Sequence, residues 1–255
     1  MWNRAILKSN ARVALTGRYW TAYAACVIAG LLSGLFSFLQ QPFTARYTTL
    51  TANVVMQTLE QPQPGWNGTG FLAALFWIFV GLPLIVGLSR FFVQNRFGVT
   101  DIRAVFSGFR RCYGNTVGAM FVTKLFIILW TFLLIVPGII KSLEYCMVPF
   151  ILSDNPSMPG SRARQISSMM TAGEKGSIFV LGLSFIGWFA LVSVPCSFFL
   201  NYLWPVSFFL STVVIEFVVP YWKASFAELY VFQRGRIIQS GMVRPEEFGL
   251  VTPSV

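Results

Sequence analysis

Residues 117–152 read VGAMFVTKLFIILWTFLLIVPGIIKSLEYCMVPFIL, and whether this stretch crosses a membrane once or twice decides the fold. As one helix it would extend about 54 Å, far beyond a hydrocarbon core of about 30 Å. Pro137-Gly138 lies inside it, and that pair is a strong helix breaker. The charges on either side weigh the same way. Arg4, Lys8, Arg12 and Arg18 crowd the N-terminal segment, and Arg96, Arg103, Arg110 and Arg111 the segment before Val117. Arg162, Arg164, Lys175, Arg234, Arg236 and Arg244 follow Leu152. A hairpin at Pro137-Gly138 puts all of them on one side of the membrane, as the positive-inside rule requires, whereas a single crossing splits them.

Working outward from that hairpin, the apolar runs predict an all-α, polytopic bundle. Its six spans are placed at roughly 19–39, 71–93, 117–136, 139–152, 177–200 and 206–231, with both termini cytoplasmic. The fourth is short for a full crossing, so it either extends past Asn155 or is re-entrant. One integral-membrane domain is expected over 1–255, comprising an interfacial helix over 1–18, the bundle over 19–232 and a cytoplasmic tail over 233–255. Composition agrees: 55% of the 255 residues are apolar and only 11% charged, with a mean hydropathy of +0.66. Soluble domains carry about a quarter charged residues.

The formal charge of +10 falls beside the apolar runs, which favours anionic inner-leaflet lipid over nucleic acid as partner. Histidine is absent and no CxxC pair occurs among the four cysteines, so neither a zinc site nor a disulfide framework is expected, and no cofactor is called for. Without histidine there is also no Ser-His or Cys-His pair, and an enzyme is not expected.

Three segments read as amphipathic interfacial helices. In residues 1–16, Arg4, Lys8 and Arg12 recur on one face, with Trp2, Ile6 and Val13 opposite. Thr100–Tyr113 spaces Ile102, Val105, Phe106, Phe109 and Tyr113 helically, with Thr100 as cap and Gly114 as terminator. Ser161–Ala172 turns Ala163, Ile166 and Met170 inward and stops at Gly173. Each precedes a pair of spans, and each even span holds a proline (Pro83, Pro149, Pro220), suggesting a threefold repeat of interfacial helix plus transmembrane hairpin. Arg4, Lys8, Arg12, Arg103, Arg110 and Arg111 are the candidate contacts to lipid headgroups.

Ala22, Cys26, Gly30 and Gly34 form a ridge of small residues, suited to packing within the bundle or against a second copy or another membrane protein. Charges within the spans are few and expensive there: Lys124, Lys141, Glu144, Glu216, Lys223 and Glu228. The bland expectation is one ion-pair network, with Lys124 snorkelling to the inner surface. The sharper one is a polar path for ions or a headgroup.

Val136-Pro137-Gly138-Ile139-Ile140-Lys141, Tyr145, Pro149 and Asp154-Asn155-Pro156 make up the first half of a pattern. It continues through Ser168 to Lys175, Leu183-Ser184-Phe185-Ile186-Gly187-Trp188, Pro220-Tyr221 and Tyr230. Over residues 100–232 it resembles a bacterial integral-membrane family catalogued only as a domain of unknown function. The resemblance implies kinship with the membrane portion of some glycerophosphodiester phosphodiesterases. Their activity is not expected to carry over, since no catalytic domain is attached. Glu144 departs from the pattern, which implies a small or polar residue there, and 170–175 lacks an expected lysine before Gly173. The expected role is therefore non-enzymatic: organising the bacterial cytoplasmic membrane or supporting a transport or envelope system. A small transporter or channel lined by Lys141, Glu144 and Glu216 is the alternative, ahead of an intramembrane enzyme.

Overall fold

The computed structural model describes residues 2–34, 68–110, 112–200 and 212–250, and all regular structure among them is helical. Helix α1 (Arg4–Leu15) starts where the Asn3 side chain accepts the Ala5 N–H at 2.9 Å. After it come α2 (Tyr19–Gly34) and α3 (Gly68–Phe76), the latter running through a π-helical turn at Trp77–Gly81 into α4 (Leu82–Arg96). A 3₁₀ turn (Ile102–Phe106) and the short α5 (Ser107–Arg110) precede α6 (Tyr113–Leu133), α7 (Ile135–Glu144) and α8 (Val148–Asp154). Then follow α9 (Gly160–Thr171), α10 (Lys175–Leu200) and α11 (Val219–Gln239). Four stretches are long and apolar enough to cross a membrane: Gly70–Arg96, Tyr113–Leu133, Ile135–Asp154 and Lys175–Val194. The ends expected for the first and sixth spans, 35–39 and 206–211, lie outside the described residues.

The hairpin after Val117 is present, but it reverses three residues early. Leu134 is extended (φ −158°, ψ 137°), and Pro137 sits in the first turn of α7, where a missing N–H leaves no bond unmade. Gly138 serves packing rather than the turn. A Cβ there would lie 2.2 Å from Thr131 Oγ1, so α7 can lie directly on α6. The second arm then continues to Asp154, giving 20 residues and about 30 Å, long enough for a full crossing.

Two layers result. In one, apolar side chains face outward along α6 (Phe121 to Leu133), α7 (Ile135 to Ile140) and α10 (Phe179 to Val194), as lipid-facing helices require. In the other, the second half of α4 is almost wholly buried, enclosed by α8, α11, α1 and the 102–110 segment. That segment is not the single helix that its spacing predicts. Asp101, not Thr100, caps it, accepting the Arg103 N–H, and Gly114 lies inside α6 rather than ending anything. Its backbone presses on α4 at Gly87 and Gly108. Here a Cβ would come within 1.7 Å of Val105 O and 2.3 Å of Pro83 O respectively.

Helix α1 docks through a stripe that the sequence reading overlooked. Leu7, Ala11 and Leu15 are buried against the bundle, while Ile6 (58% exposed) and Val13 (71%) face away. Helix α9 turns Ala163, Ile166 and Met170 fully inward, as expected.

A common local plan recurs three times. Gly17, Cys112 and Gly173, all at positive φ, lead into α2, α6 and α10. Each returning helix is interrupted just before its proline, by the π turn ahead of Pro83 and by turns at 145–147 and 216–218 ahead of Pro149 and Pro220. Each proline then opens a fresh α segment. The first residue of each outgoing helix bonds the returning helix of the preceding unit, in a closed cycle. Tyr19 Oη donates to Phe217 O (2.6 Å), Tyr113 Oη to Phe79 O (2.8 Å) and Lys175 Nζ to Glu144 Oε2 (2.7 Å).

The C-terminal segment folds back on the junction of α8 and α9. Phe248 is buried, Asn155 donates to Glu247 O (3.0 Å), and Arg162 makes two bonds to the Glu247 carboxylate. That guanidinium holds the Glu247 carboxyl below its ordinary value of 4.5. A depressed carboxyl contributes stability above its unfolded value and loses it as pH falls through the folded one. Hydrogen exchange over 245–250, corrected for intrinsic rate, is therefore expected to accelerate on acidification below about pH 4.5 in the native chain, and Arg162→Gln should abolish that dependence.

Candidate functional site: an ion-paired layer and a two-lysine cavity

The six charges expected to form one network fall into separate groups. Lys141 on α7 bonds Glu144 one turn on (3.0 Å), and Lys175 takes the second oxygen of the same carboxylate (2.7 Å). This explains why an acid stands at 144 where the family pattern implies a smaller residue: it joins two units. Glu228 on α11 pairs not with Lys223 but with Arg96 at the end of α4, whose Nε lies 2.8 Å from both oxygens. Glu216 pairs with none of Lys124, Lys141 or Lys223. It sits in the interruption before Pro220 with its carboxylate over Gly30 of α2, where a Cβ would meet Oε1 at 2.7 Å. The small-residue ridge thus packs inside the chain at Gly30, with Ala22 and Cys26 buried and Gly34 half-buried.

Two further polar clusters escaped the sequence reading. Asp154 accepts from Tyr230 Oη (2.6 Å) and Arg234 (2.5 Å), joining the end of α8 to α11. Glu174, in the turn between α9 and α10, accepts from Trp2 Nε1, Gln233 Nε2 and Arg236 Nη1, so it ties the start of α1 to α11. Arg236 also donates to Met170 O (2.8 Å). The signal was there, since Asp154 and Tyr230 both belong to the resemblance pattern. Glu174 lies within the same pattern, in the stretch from Ser168 to Lys175.

The headgroup candidates divide as well. Arg4 and Arg12 are exposed, and Lys8 lies with its Nζ 4.5 Å from the Phe185 ring centre while Arg12 lies 5.5 Å from that of Tyr221. Lys8 and Arg12 therefore hold α1 by cation–π contact as well as facing its surroundings. Burial, then the neighbouring Arg12 and Arg4, lowers the pKa of Lys8. Arg103 and Arg110 are exposed on the rim of a cleft of about 210 Å3 between α4 and the 102–110 segment, completed by Arg90, Gln94 and Ser107. Arg111 lies outside the described residues.

Lys124 does not snorkel to a helix end. It stands midway along α6 and lines a partly open cavity of about 380 Å3, shared with Lys223 of α11. The interrupted stretch of the α7–α8 arm contributes Tyr145, Cys146 and Pro149, and aromatic walls come from Phe150, Trp222 and Phe226.

A family model described as "Protein of unknown function (DUF975)" matches residues 69–231. No match was found among curated proteins or solved structures.

Proposed function

The chain belongs to the DUF975 family, whose function is unknown, and we propose that it is a non-enzymatic, multi-pass protein of the bacterial cytoplasmic membrane. In this reading it makes six crossings, keeps both termini in the cytosol and gathers anionic lipid on its inner face, organising the membrane around itself or around a transport or envelope system.

One observation carries the reading. Among the described residues, the ion pairs occupy the carboxylates of Glu144, Asp154, Glu174, Glu228 and Glu247, while Arg4, Lys8, Arg12, Arg103 and Arg110 have no carboxylate partner. Those five acids hold helices together, leaving Asp101 beside Arg103 and Arg110 and Glu246 in the C-terminal segment without an ion pair among the described residues, and the surplus cations are displayed. Each basic side chain near an anionic leaflet contributes roughly 1 kcal/mol of attraction. The alternative path through Lys141, Glu144 and Glu216 has less support: Glu144 has both oxygens occupied by Lys141 and Lys175, and Glu216 lies apart from that group, over Gly30.

The test is the lipid that co-purifies with the full chain. The native protein should enrich anionic over zwitterionic phospholipid relative to the bulk membrane. The variant R4Q/K8Q/R12Q/R103Q/R110Q should lose most of that enrichment, and Glu216→Gln should keep it. Unchanged enrichment in the five-site variant rejects the proposal, and loss in Glu216→Gln alone would favour the transporter.

A further inference from the structure

Lys124 and Lys223 are two cations that reach one cavity within the bundle without an ion pair among the described residues. Arg96, Lys141, Lys175, Arg234 and Arg236 each pair with a carboxylate, whereas among the described residues neither of these two lysines makes an ion pair; Lys223 lies 5.0 Å from the ring centre of Trp222 and feels the Glu216 carboxylate only beyond ion-pair distance. They come from different helices into the same cavity of about 380 Å3. Their surroundings offer little to offset the charge. The Thr123 and Ser142 hydroxyls on the cavity wall give their protons to the carbonyls of Ala119 and Ile139, and much of the remaining lining is Ile85, Met120, Ile127 and aromatic rings. Two ammonium groups facing one apolar-walled space at bilayer depth repel each other and are each costly to keep there.

We infer that this cavity holds the phosphate group of an anionic amphiphile, with Lys124 and Lys223 as its two cationic ligands and Trp222, Phe226 and Ile127 against its apolar part. A phosphate supplies several acceptor oxygens and more than one negative charge, which matches two ammonium donors better than a single carboxylate does. The walls suit a ligand with a hydrocarbon portion, because ligand pockets are mostly apolar with a few convergent polar groups. The arm interrupted at 145–147 borders the space, and irregular backbone at bilayer depth is tolerated where it lines a cavity. This site is separate from the inner-face contacts proposed above and does not depend on them.

Thermal unfolding of the full chain in a neutral detergent tests the assignment, with dihexanoyl phosphatidic acid as probe and dihexanoyl phosphatidylcholine as control. Binding to the folded state raises the midpoint. The phosphatidic acid should raise it and the control should not. K124Q/K223Q should weaken half-saturation by at least about tenfold, as loss of charge-assisted bonds implies, and K124R/K223R should retain it. Cys146→Phe leaves both lysines but fills the cavity, so it should also lose the shift, which keeps the test decisive if K124Q/K223Q fails to fold. The variant R4Q/K8Q/R12Q should bind as the native chain does. An equal shift with inorganic phosphate, again dependent on both lysines, would identify a free anion as the source of the same chemistry. Unaltered half-saturation in K124Q/K223Q or in Cys146→Phe overturns the assignment.

Discussion

Gly87→Ala is expected to destabilise the protein by about 3 kcal/mol or more, at the top of the range for overpacking. The added methyl would land 1.7 Å from Val105 O and 3.2 Å from Ala104 O. Both are backbone atoms, so no rotamer change relieves the clash, and the 102–106 turn must leave α4. Gly108 braces the same interface against Pro83 O, so displacement at one contact loosens the other. Gly118→Ala on α6, where a Cβ meets nothing within 4 Å, is the control and should be neutral or slightly stabilising by helix propensity. Thermal midpoints of the two variants in the same detergent check this. Equal midpoints would mean that the 102–110 segment does not rest on α4 as described.

Glu174→Ala should carry the second large effect. The carboxylate accepts from three donors on two helices, Trp2 on one side and Gln233 and Arg236 on the other. Its loss leaves those donors unmatched and unties the start of α1 from α11. Removing one partner of a fully enclosed ion pair costs about 3–5 kcal/mol. Arg236 keeps 38% of its side-chain surface exposed, so solvent screening reduces the expectation to about 2 kcal/mol. Glu246→Ala, at a residue without an ion-pair partner among the described residues, should change stability by under about 0.5 kcal/mol. Proteolysis near Trp2 should rise in the first variant and not in the second. If Glu174→Ala unfolds with Glu246→Ala, the docking of α1 rests on Leu7, Ala11 and Leu15 alone.

The features legible in the sequence were those governed by hydrocarbon thickness and by period. Apolar length located four stretches long enough to cross a membrane, charge asymmetry demanded a hairpin after Val117, and the 3.6-residue spacing of Ala163, Ile166 and Met170 named the inward face of α9 correctly. Boundaries were harder. Pro137-Gly138 is a breaker in an isolated peptide, yet Pro137 is tolerated in the first turn of α7 and Gly138 is needed for contact with Thr131. The wheel of α1 placed the apolar face opposite the basic one, but docking used the smaller stripe beside the basic residues, because the bundle rather than lipid covers that side.

Pairing was least legible. Lys141 and Glu144 stand three positions apart on one helix, a spacing that a local pattern can reveal. The pairs Arg96–Glu228, Asp154–Arg234 and Glu174–Arg236 join residues remote in sequence, and no local pattern encodes which loop charge meets which helix. For the same reason the Lys124–Lys223 cavity could not be read, since it brings together lysines from helices remote in sequence.

The central claim is orientation: the layer holding α1, α9 and the C-terminal segment faces the cytosol, and the turn at Leu134 faces out. Single cysteines at positions 134, 165 and 240, introduced into a chain whose own four cysteines have been replaced, can be probed with a membrane-impermeant thiol reagent on intact cells. The account predicts labelling at 134 in intact cells, and labelling at 165 and 240 only after permeabilisation. Reaction at 165 or 240 in intact cells would contradict it.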